Sequence, residues 1–128
     1  MPTVPWRSFN VADPQRQYVI LLSYLPLRHG WQIPQFLLHT ARIMAQLRRS
    51  KGLLGFSLRA ELLAKRFWTL SAWQNEAALQ AFVRAQPHSQ TMRAMASRMG
   101  ATLFLRWTVK GSELPASWEE ALRRWRRN

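Results

Sequence analysis

Two predicted strands of this chain are apolar on both faces, and this feature constrains the fold more than any other. The segment Tyr18–Leu25 reads YVILLSYL, and the segment Arg66–Trp73 reads RFWTLSAW. Because successive side chains of a strand point to opposite faces, a sheet with one wet face alternates apolar and polar residues. Neither segment does so, and Trp68 and Trp73 place one tryptophan on each face. We therefore expect both faces of the sheet to be buried.

The order of the remaining segments indicates a ferredoxin-like domain behind a short arm. Prolines near the start predict an extended N-terminal arm over 1–16, and residues 17–128 have the length of one domain. Asn75 suits a helix N-cap, Pro87 suits a helix start, and Ser117 with Glu120 forms a capping box. In order, we predict a strand over 18–25, a helix over 34–49, strands over 53–59 and 66–73, a helix after residue 75, a helical segment over 87–99, a strand over 102–110 and a helix over about 117–127. This is an α+β fold, ferredoxin-like βαββαβ with an extra C-terminal helix.

A sheet that is apolar on both faces must pack against other structural elements on both of them. In the ferredoxin-like order the two helices lie on one face and leave the other face open. The simplest cover for the open face is the same face of a second copy, and two such sheets form a dimeric α+β barrel. A single chain that exposed this face would aggregate, so we expect a homodimer.

The face of the sheet that carries Trp73 also carries hydroxyl groups. Phe67, Thr69, Ser71 and Trp73 alternate with the residues of the other face, and we assign them to the side under the helices. Since a packed core favours aliphatic side chains over hydroxyls, these hydroxyls either bond to nearby backbone groups or border a cavity.

The helical segment over 87–99 supplies a roof for such a cavity. His88, Met92, Met95 and Met99 follow the i, i+4, i+7, i+11 spacing of one helix face. A methionine stripe is commonly core filler, but it also suits a flat, polarizable ligand. His29 in a loop and His39 at the flank of a helix are weaker candidates for a role in the site.

The charge is strongly positive, at +13, and sixteen of the nineteen basic residues are arginine. Such a charge favours an acidic partner such as nucleic acid. The basic residues are spread along the chain, however, and only the tail over 123–127 is a dense cluster. No nucleic-acid-binding motif accompanies them, so the alternative interpretation is that they keep a dimer soluble.

Several classes of chemistry lack their residues. The chain has no cysteine, no glycine-rich phosphate loop and only six acidic residues, which excludes thiol chemistry and makes a carboxylate pair improbable. The three histidines have no metal-binding spacing. The first residues lack a signal-peptide core, and no apolar stretch is long enough to span a bilayer, so we expect a cytoplasmic protein.

The run LLGFSLRAELLAKRFWTLSAWQNEAALQAFVRAQPHSQTMRAM resembles the antibiotic biosynthesis monooxygenase-like group of dimeric α+β barrels. It is especially similar to the DUF3291 and spheroidene monooxygenase-like proteins. The resemblance covers about residues 17–110, and its matching residues are Gly55, Phe56, the segment 69–73, Ala78, Leu79, Phe82, His88 and Met92.

The resemblance implies a substrate pocket between sheet and helices. Some members of the group oxygenate aromatic polyketides without metal or flavin. The haem-degrading members resemble this chain at Trp73 and His88, which implies a wall beside the haem and an iron ligand. Both kinds of member carry an asparagine on the first strand, whereas this chain has Asn10 before the strand and Ser23 within it.

These patterns lead to one functional hypothesis and two alternatives. The hypothesis is a monooxygenase-like protein that oxidises or binds a hydrophobic small molecule (an aromatic, a polyene or haem), with either no cofactor or haem bound through His88. The expected catalytic residues are His88 and Trp73, and the expected binding residues are Phe67, Thr69, Ser71, Met92, Met95 and Ser23. The alternatives are a non-catalytic small-molecule or haem-binding protein and a nucleic-acid-associated protein that uses the arginine tail.

Overall fold

A single antiparallel sheet is the framework of the computed structural model, which describes residues 3–85 and 88–127. The strands are β1 (Thr3–Ser8), β2 (Gln17–Pro26), β3 (Leu53–Glu61), β4 (Arg66–Trp73) and β5 (Leu103–Lys110). The helices are α1 (Ile33–Arg49), α2 (Glu76–Arg84), α3 (His88–Met95) and α4 (Trp118–Arg126). Short 3₁₀ turns lie at Gly30–Gln32, Ala96–Arg98 and Gly111–Glu113. The strand order is β1-β3-β4-β2-β5.

The four strands β3-β4-β2-β5 have the order of a ferredoxin-like sheet, so the predicted fold class and its extra C-terminal helix are confirmed. Strand β1 is an addition from the N-terminal arm. It pairs with the edge of β3, and Ser57 Oγ donates a hydrogen bond of 2.6 Å to Val4 O. The boundary between arm and domain after residue 16 stays a prediction. Residues 1 and 2 of the arm and the predicted helix start at Pro87 lie outside the described residues.

Helices α1, α2 and α3 cover one face of the sheet. Phe67 stacks on Phe36 of α1 with ring centroids 4.4 Å apart, and Trp73 contacts Phe82 of α2 with centroids 5.1 Å apart. The predicted cap of α2 is also present, because the Asn75 side chain accepts a hydrogen bond from Ala78 N. The assignment of the Trp73 face to the helix side is therefore correct.

The opposite face is covered by the chain's own C-terminal helix, α4. The buried residues of this face are Tyr18, Ile20, Leu22, Leu54, Trp68, Leu70 and Ala72, and Ala121 of α4 is fully buried among them. Trp125 of α4 lies edge-on to Trp68, with ring centroids 5.5 Å apart. Trp118 Nε1 donates a hydrogen bond of 2.9 Å to Ser57 Oγ, which ties α4 to β3.

The position of α4 corrects the prediction about the second face of the sheet. The central strands β2 and β4 are largely buried on both faces, as predicted, whereas alternate residues of the edge strand β5 are exposed. The expectation that a second copy must cover the open face is wrong, because α4 lies there. The apolar stripe of α4 packs on this face, so the same chain supplies the apolar surface that was expected from a second copy. Homodimer formation stays a prediction that no longer follows from an uncovered face.

Candidate functional site

A mainly apolar cavity of about 380 Å³ lies between the sheet and helices α1 and α3. Its volume is near the lower end of the range of roughly 300–1,000 Å³ that is usual for small-molecule sites. The sheet contributes Leu21, Ser23, Leu25, Phe67, Thr69 and Ser71 to its wall. The helices contribute Phe36, His39, Ile43, His88, Met92 and Met95. The structure thus brings seven of the eight predicted site residues together around one cavity.

The strand register places the polar atoms of the cavity floor. Ser23 lies directly opposite Thr69, and Leu21 lies opposite Ser71, so that three hydroxyl groups occupy adjacent positions on the two central strands. Directly opposed residues of antiparallel strands have Cβ atoms about 4.5–5.5 Å apart. The floor therefore combines a small hydroxyl patch with the apolar side chains of Leu21 and Phe67.

Trp73 does not border the cavity, which corrects the prediction that it forms part of the wall. Its side chain is completely buried, and its Nε1 donates a hydrogen bond of 2.9 Å to Ser71 Oγ. Phe82 packs on its ring and is itself part of the cavity wall. One of the hydroxyls in question therefore serves as the hydrogen-bond partner of the buried indole. A catalytic role for Trp73 stays a prediction without a contact to support it.

His88 begins α3 and is held by contacts with both neighbouring helices. Its backbone N–H donates a hydrogen bond of 2.9 Å to Gln46 Oε1 of α1, and Gln46 Nε2 donates to Phe82 O at the end of α2. The His88 ring packs on Phe82, with centroids 4.8 Å apart. Gln46 is buried and was missed by the sequence analysis, because a glutamine on a helix gives no sign that it bridges two other helices.

The ring nitrogens of His88 have different surroundings. Nδ1 lies 3.2 Å from Val83 O, and since a carbonyl only accepts, Nδ1 carries the proton of this bond. Nε2 makes no hydrogen bond within the described part of the chain and keeps its lone pair in the neutral imidazole. Burial lowers the pKa of His88 below its ordinary value of 6.5, although the bond to Val83 opposes this. His88 is therefore a neutral acceptor at neutral pH.

The lowered pKa makes a prediction for stability. Between the folded and unfolded pKa values of His88 the unfolded chain binds more protons, so the free energy of unfolding falls as the pH drops through about 6.5 and levels off below the folded pKa. We expect His88→Gln to remove this part of the acid dependence. Chemical denaturation at several values between about pH 5 and pH 8 measures it. His29→Gln, at an exposed histidine, is the control, and an unchanged slope in His88→Gln would contradict the assignment.

Haem fits this cavity poorly. His88 Nε2 is a suitable iron ligand in its chemistry, because the bond from Nδ1 to a carbonyl is the usual orienting contact of a ligating histidine. The volume of about 380 Å³ is small for a tetrapyrrole, however, and haem propionates need cations. Among the described residues of the wall, Arg59 is the one permanent cation, and its guanidinium stacks on Trp118 on the α4 side of the sheet. The described wall of the cavity therefore does not suit haem.

Asn10 has a structural contact of its own. Its Nδ2 donates a hydrogen bond of 2.6 Å to Leu53 O and so fastens the segment after β1 to β3. Asn10 does not border the cavity. It therefore does not replace the asparagine that the resemblance led us to look for on the first strand.

The arginine tail is largely folded into α4. Arg123 pairs with Glu119 and Glu120, and Arg124 pairs with Glu120 and stacks over Trp107 at 4.7 Å. Because the Glu120 carboxylate serves these arginines, the capping box at Ser117 is formed from the serine side alone, by the bond from Glu120 N. Nucleic-acid binding by a free basic tail gains no support from this arrangement.

Two further findings concern the described ranges as a whole. Within residues 3–85 and 88–127, no group of three or more histidine and acidic side chains is placed to hold a metal ion. In the same ranges, no helix has both the length and the apolar character needed to cross a bilayer.

The strand order, the helices on one face and the cavity between them define a ferredoxin-like α+β protein with an internal apolar site. Its fold is that of the antibiotic biosynthesis monooxygenase-like proteins, so the resemblance is confirmed at the level of the fold. SnoaB of Streptomyces nogalater, a cofactor-independent oxygenase, is similar over 78% of this chain and 99% of its own, with a TM-score of 0.60 and 17% identity. An antibiotic biosynthesis monooxygenase is similar over 70% of this chain and 95% of its own, with a TM-score of 0.63 and 11% identity.

A third similar structure, the protein NE2512 of Nitrosomonas europaea, has no known function. It is similar over 79% of this chain and 97% of its own, with a TM-score of 0.63 and 16% identity. No protein-family model and no curated protein matches the sequence. The similarity therefore concerns the fold, and the chemistry depends on the residues of the cavity.

Proposed function

We propose that this protein binds a flat, apolar aromatic molecule in the cavity between sheet and helices and oxidises it with molecular oxygen, without a bound cofactor. The observation that carries the proposal is the mainly apolar cavity with the neutral His88 imidazole in its wall. The fold shared with a cofactor-independent oxygenase supports it. A non-catalytic ligand-binding protein is the outcome of the test if no reaction follows binding.

In the proposed reaction His88 is the general base. Its Nε2 lone pair accepts the proton of a phenolic or enolic hydroxyl, and the resulting electron-rich anion transfers electrons to oxygen. Oxygen then bonds to the activated ring carbon as a peroxide, and His88 returns its proton when the peroxide loses water. In balance, a substrate CH₂ and O₂ give a C=O and H₂O, and the two C–H bonds supply the electrons. Met92, Met95 and Phe67 exclude water from the anion.

The test uses anthrone, whose enol form is a three-ring phenol. We expect the wild-type protein to accelerate oxygen uptake over buffer and to give a product with one C=O in place of a CH₂, followed with an oxygen electrode and by mass spectrometry. Loss of a general base typically lowers the rate by about 10²-fold or more, and we expect this for His88→Leu. His29→Leu is the matched control, because His29 is exposed and stacks on Trp31 away from the cavity.

Each other result has a distinct meaning. Binding of anthrone without oxygen uptake supports the non-catalytic alternative. Equal rates for wild type and His88→Leu remove His88 from the reaction. An absence of binding by any aromatic probe overturns the proposal as a whole. A haemin Soret shift that His88→Leu abolishes would instead restore the haem hypothesis.

A further inference from the structure

Several large apolar side chains are exposed where β3 turns into β4 and where α1 begins. They are Trp31 in the turn before α1, Leu37 of α1, and Leu62 and Leu63 in the turn between β3 and β4. Each is at least 44% exposed, and Leu63 is fully exposed. A single exposed leucine is ordinary, whereas a group of exposed apolar side chains marks an interaction site. We call these four residues the apolar end.

Contacts of the loops bring the members of the apolar end together. Trp31 follows Gly30, and a Cβ built at Gly30 would lie 3.9 Å from Cδ of Lys65. Lys65 closes the turn that carries Leu62, because its N–H donates a hydrogen bond of 3.2 Å to Leu62 O. Leu37 and Leu62 both border the cavity, and since both are also about half exposed, they lie at an opening of it.

The surroundings of the apolar end are positively charged. Lys65 lies in the turn itself, and Arg28 lies in the loop before α1, where its N–H donates a hydrogen bond of 3.1 Å to Arg98 O. None of these three cations forms an ion pair within the part of the chain that the structure describes. The acidic residue next to the turn is Glu61, and its carboxylate is neutralised by Arg66. The partner of this surface should therefore be both apolar and anionic.

A bilayer with anionic lipids has both properties. Leucine and tryptophan side chains insert at the boundary between headgroups and acyl chains, and neighbouring cations contact the anionic headgroups. A second copy of this chain fits less well, because it would bring the same cations, and a net charge of +13, against this surface. A nucleic acid would contact the cations but would leave the leucines without an apolar partner.

We propose that the apolar end docks this protein on the surface of a bilayer that contains anionic lipid. Trp31, Leu62 and Leu63 enter the boundary between headgroups and acyl chains, and Arg28 and Lys65 contact the headgroups. The opening of the cavity beside Leu62 then faces the lipid. The docking is separate from the proposed reaction, because it needs neither substrate nor oxygen.

Co-sedimentation with vesicles tests the docking. The vesicles consist either of phosphatidylcholine alone or of an equal mixture of phosphatidylcholine and phosphatidylglycerol. The wild type should bind the mixed vesicles and should bind phosphatidylcholine at least about tenfold more weakly. Leu63→Ser should lower the affinity for the mixed vesicles by about tenfold, since one leucine is no longer buried in lipid. Lys65→Gln should lower it by about fivefold, the contribution of one cation at an anionic surface.

Matched controls are available at the start of β3, away from the apolar end. Val11 is almost fully exposed and follows Asn10, whose side chain is bonded to Leu53 O, and the exposed Lys51 lies two residues before Leu53. Val11→Ser and Lys51→Gln should keep the wild-type affinity for the mixed vesicles. Leu63→Ser replaces a fully exposed side chain and should keep the wild-type Tm, so that its lower affinity does not reflect unfolding.

Three results would overturn the inference. The first is a wild type that does not bind the mixed vesicles. The second is an affinity that is the same in Leu63→Ser as in Val11→Ser, which would show that a basic chain adheres through charge alone. The third is a wild-type dimer that Leu63→Ser dissociates in sedimentation without lipid, which would identify a second copy as the partner. Anthrone oxidation is measured without vesicles, so each of these results leaves the proposed function standing.

Discussion

Replacing Ala121 by arginine is expected to detach α4 from the sheet and to lower the free energy of unfolding by more than about 3 kcal/mol. Ala121 is fully buried and belongs to the same apolar cluster as Tyr18, Trp68 and Leu70 of the sheet. An arginine there has no room and no acidic partner among the described residues of this cluster. Overpacking and the burial of an unpaired charge both act against the folded state.

The loss of stability should be large because α4 contacts the sheet at several places, and all of these contacts are lost when the helix detaches. Trp118 Nε1 donates to Ser57 Oγ, which in turn donates to Val4 O, so one chain of hydrogen bonds joins α4, β3 and β1. At the other end of the helix, Trp125 packs on Tyr24 with ring centroids 5.0 Å apart. When α4 leaves, these contacts are lost and the indole of Trp68 is exposed with the rest of the sheet face.

Chemical denaturation and sedimentation test this expectation. Ala121→Arg should unfold at lower denaturant concentration and should self-associate, because the uncovered sheet face is a large apolar patch. Ala77→Arg places the same side chain on the exposed surface of α2 and should change the stability by no more than about 0.5 kcal/mol. Equal stabilities for the two variants would show that α4 does not form the second cover.

The same experiment bears on the expected homodimer. In a dimeric α+β barrel the sheets meet through the face that α4 covers here. A wild-type protein that sediments as a single chain agrees with α4 as the cover. A wild-type dimer would require another surface or a displaced α4, and hydrogen exchange of the α4 amides distinguishes these two arrangements.

The sequence was most informative where a periodic pattern decides which face a residue occupies. The two-residue period of β2 and β4 correctly predicted that Trp68 and Trp73 serve opposite faces of the sheet. The helical spacing of His88, Met92 and Met95 correctly placed these side chains on the face that borders the cavity. Periodicity is reliable here because strand and helix geometry fix side-chain direction before any tertiary contact forms.

The periodic patterns did not predict how deeply a side chain is buried or which residues it contacts. Periodicity places Trp73 on the correct face but does not show that Phe82 and Ser71 separate it from the cavity. The amphipathic stripe of α4 was visible in the sequence, yet a stripe does not identify the surface that it meets. Gln46 was missed for the same reason, because a bridge between two other helices is a property of the folded chain alone.

Trp73→Ala is expected to lower the free energy of unfolding by about 3–5 kcal/mol, the usual cost of truncating a buried tryptophan. The side chain is completely buried, and its removal would leave a cavity beside Phe82 and deprive Ser71 of its donor. Trp73→Phe keeps most of the volume and loses mainly the hydrogen bond, so we expect about 0.5–1.5 kcal/mol from that source. Trp31→Ala, at a side chain 73% exposed, should change the stability by no more than about 0.5 kcal/mol.

Trp73→Phe also decides between a structural and a functional role for this tryptophan. Because Trp73 lies behind the cavity wall, the phenylalanine variant should bind anthrone under nitrogen with wild-type affinity and keep the wild-type rate of anthrone oxidation. Denaturation, calorimetry and oxygen uptake on the same preparations give all three quantities. A stable Trp73→Phe protein that loses binding or turnover would show that the indole acts on the ligand, as the resemblance to haem-degrading proteins implied, and that the cavity opens to Trp73 when the ligand enters.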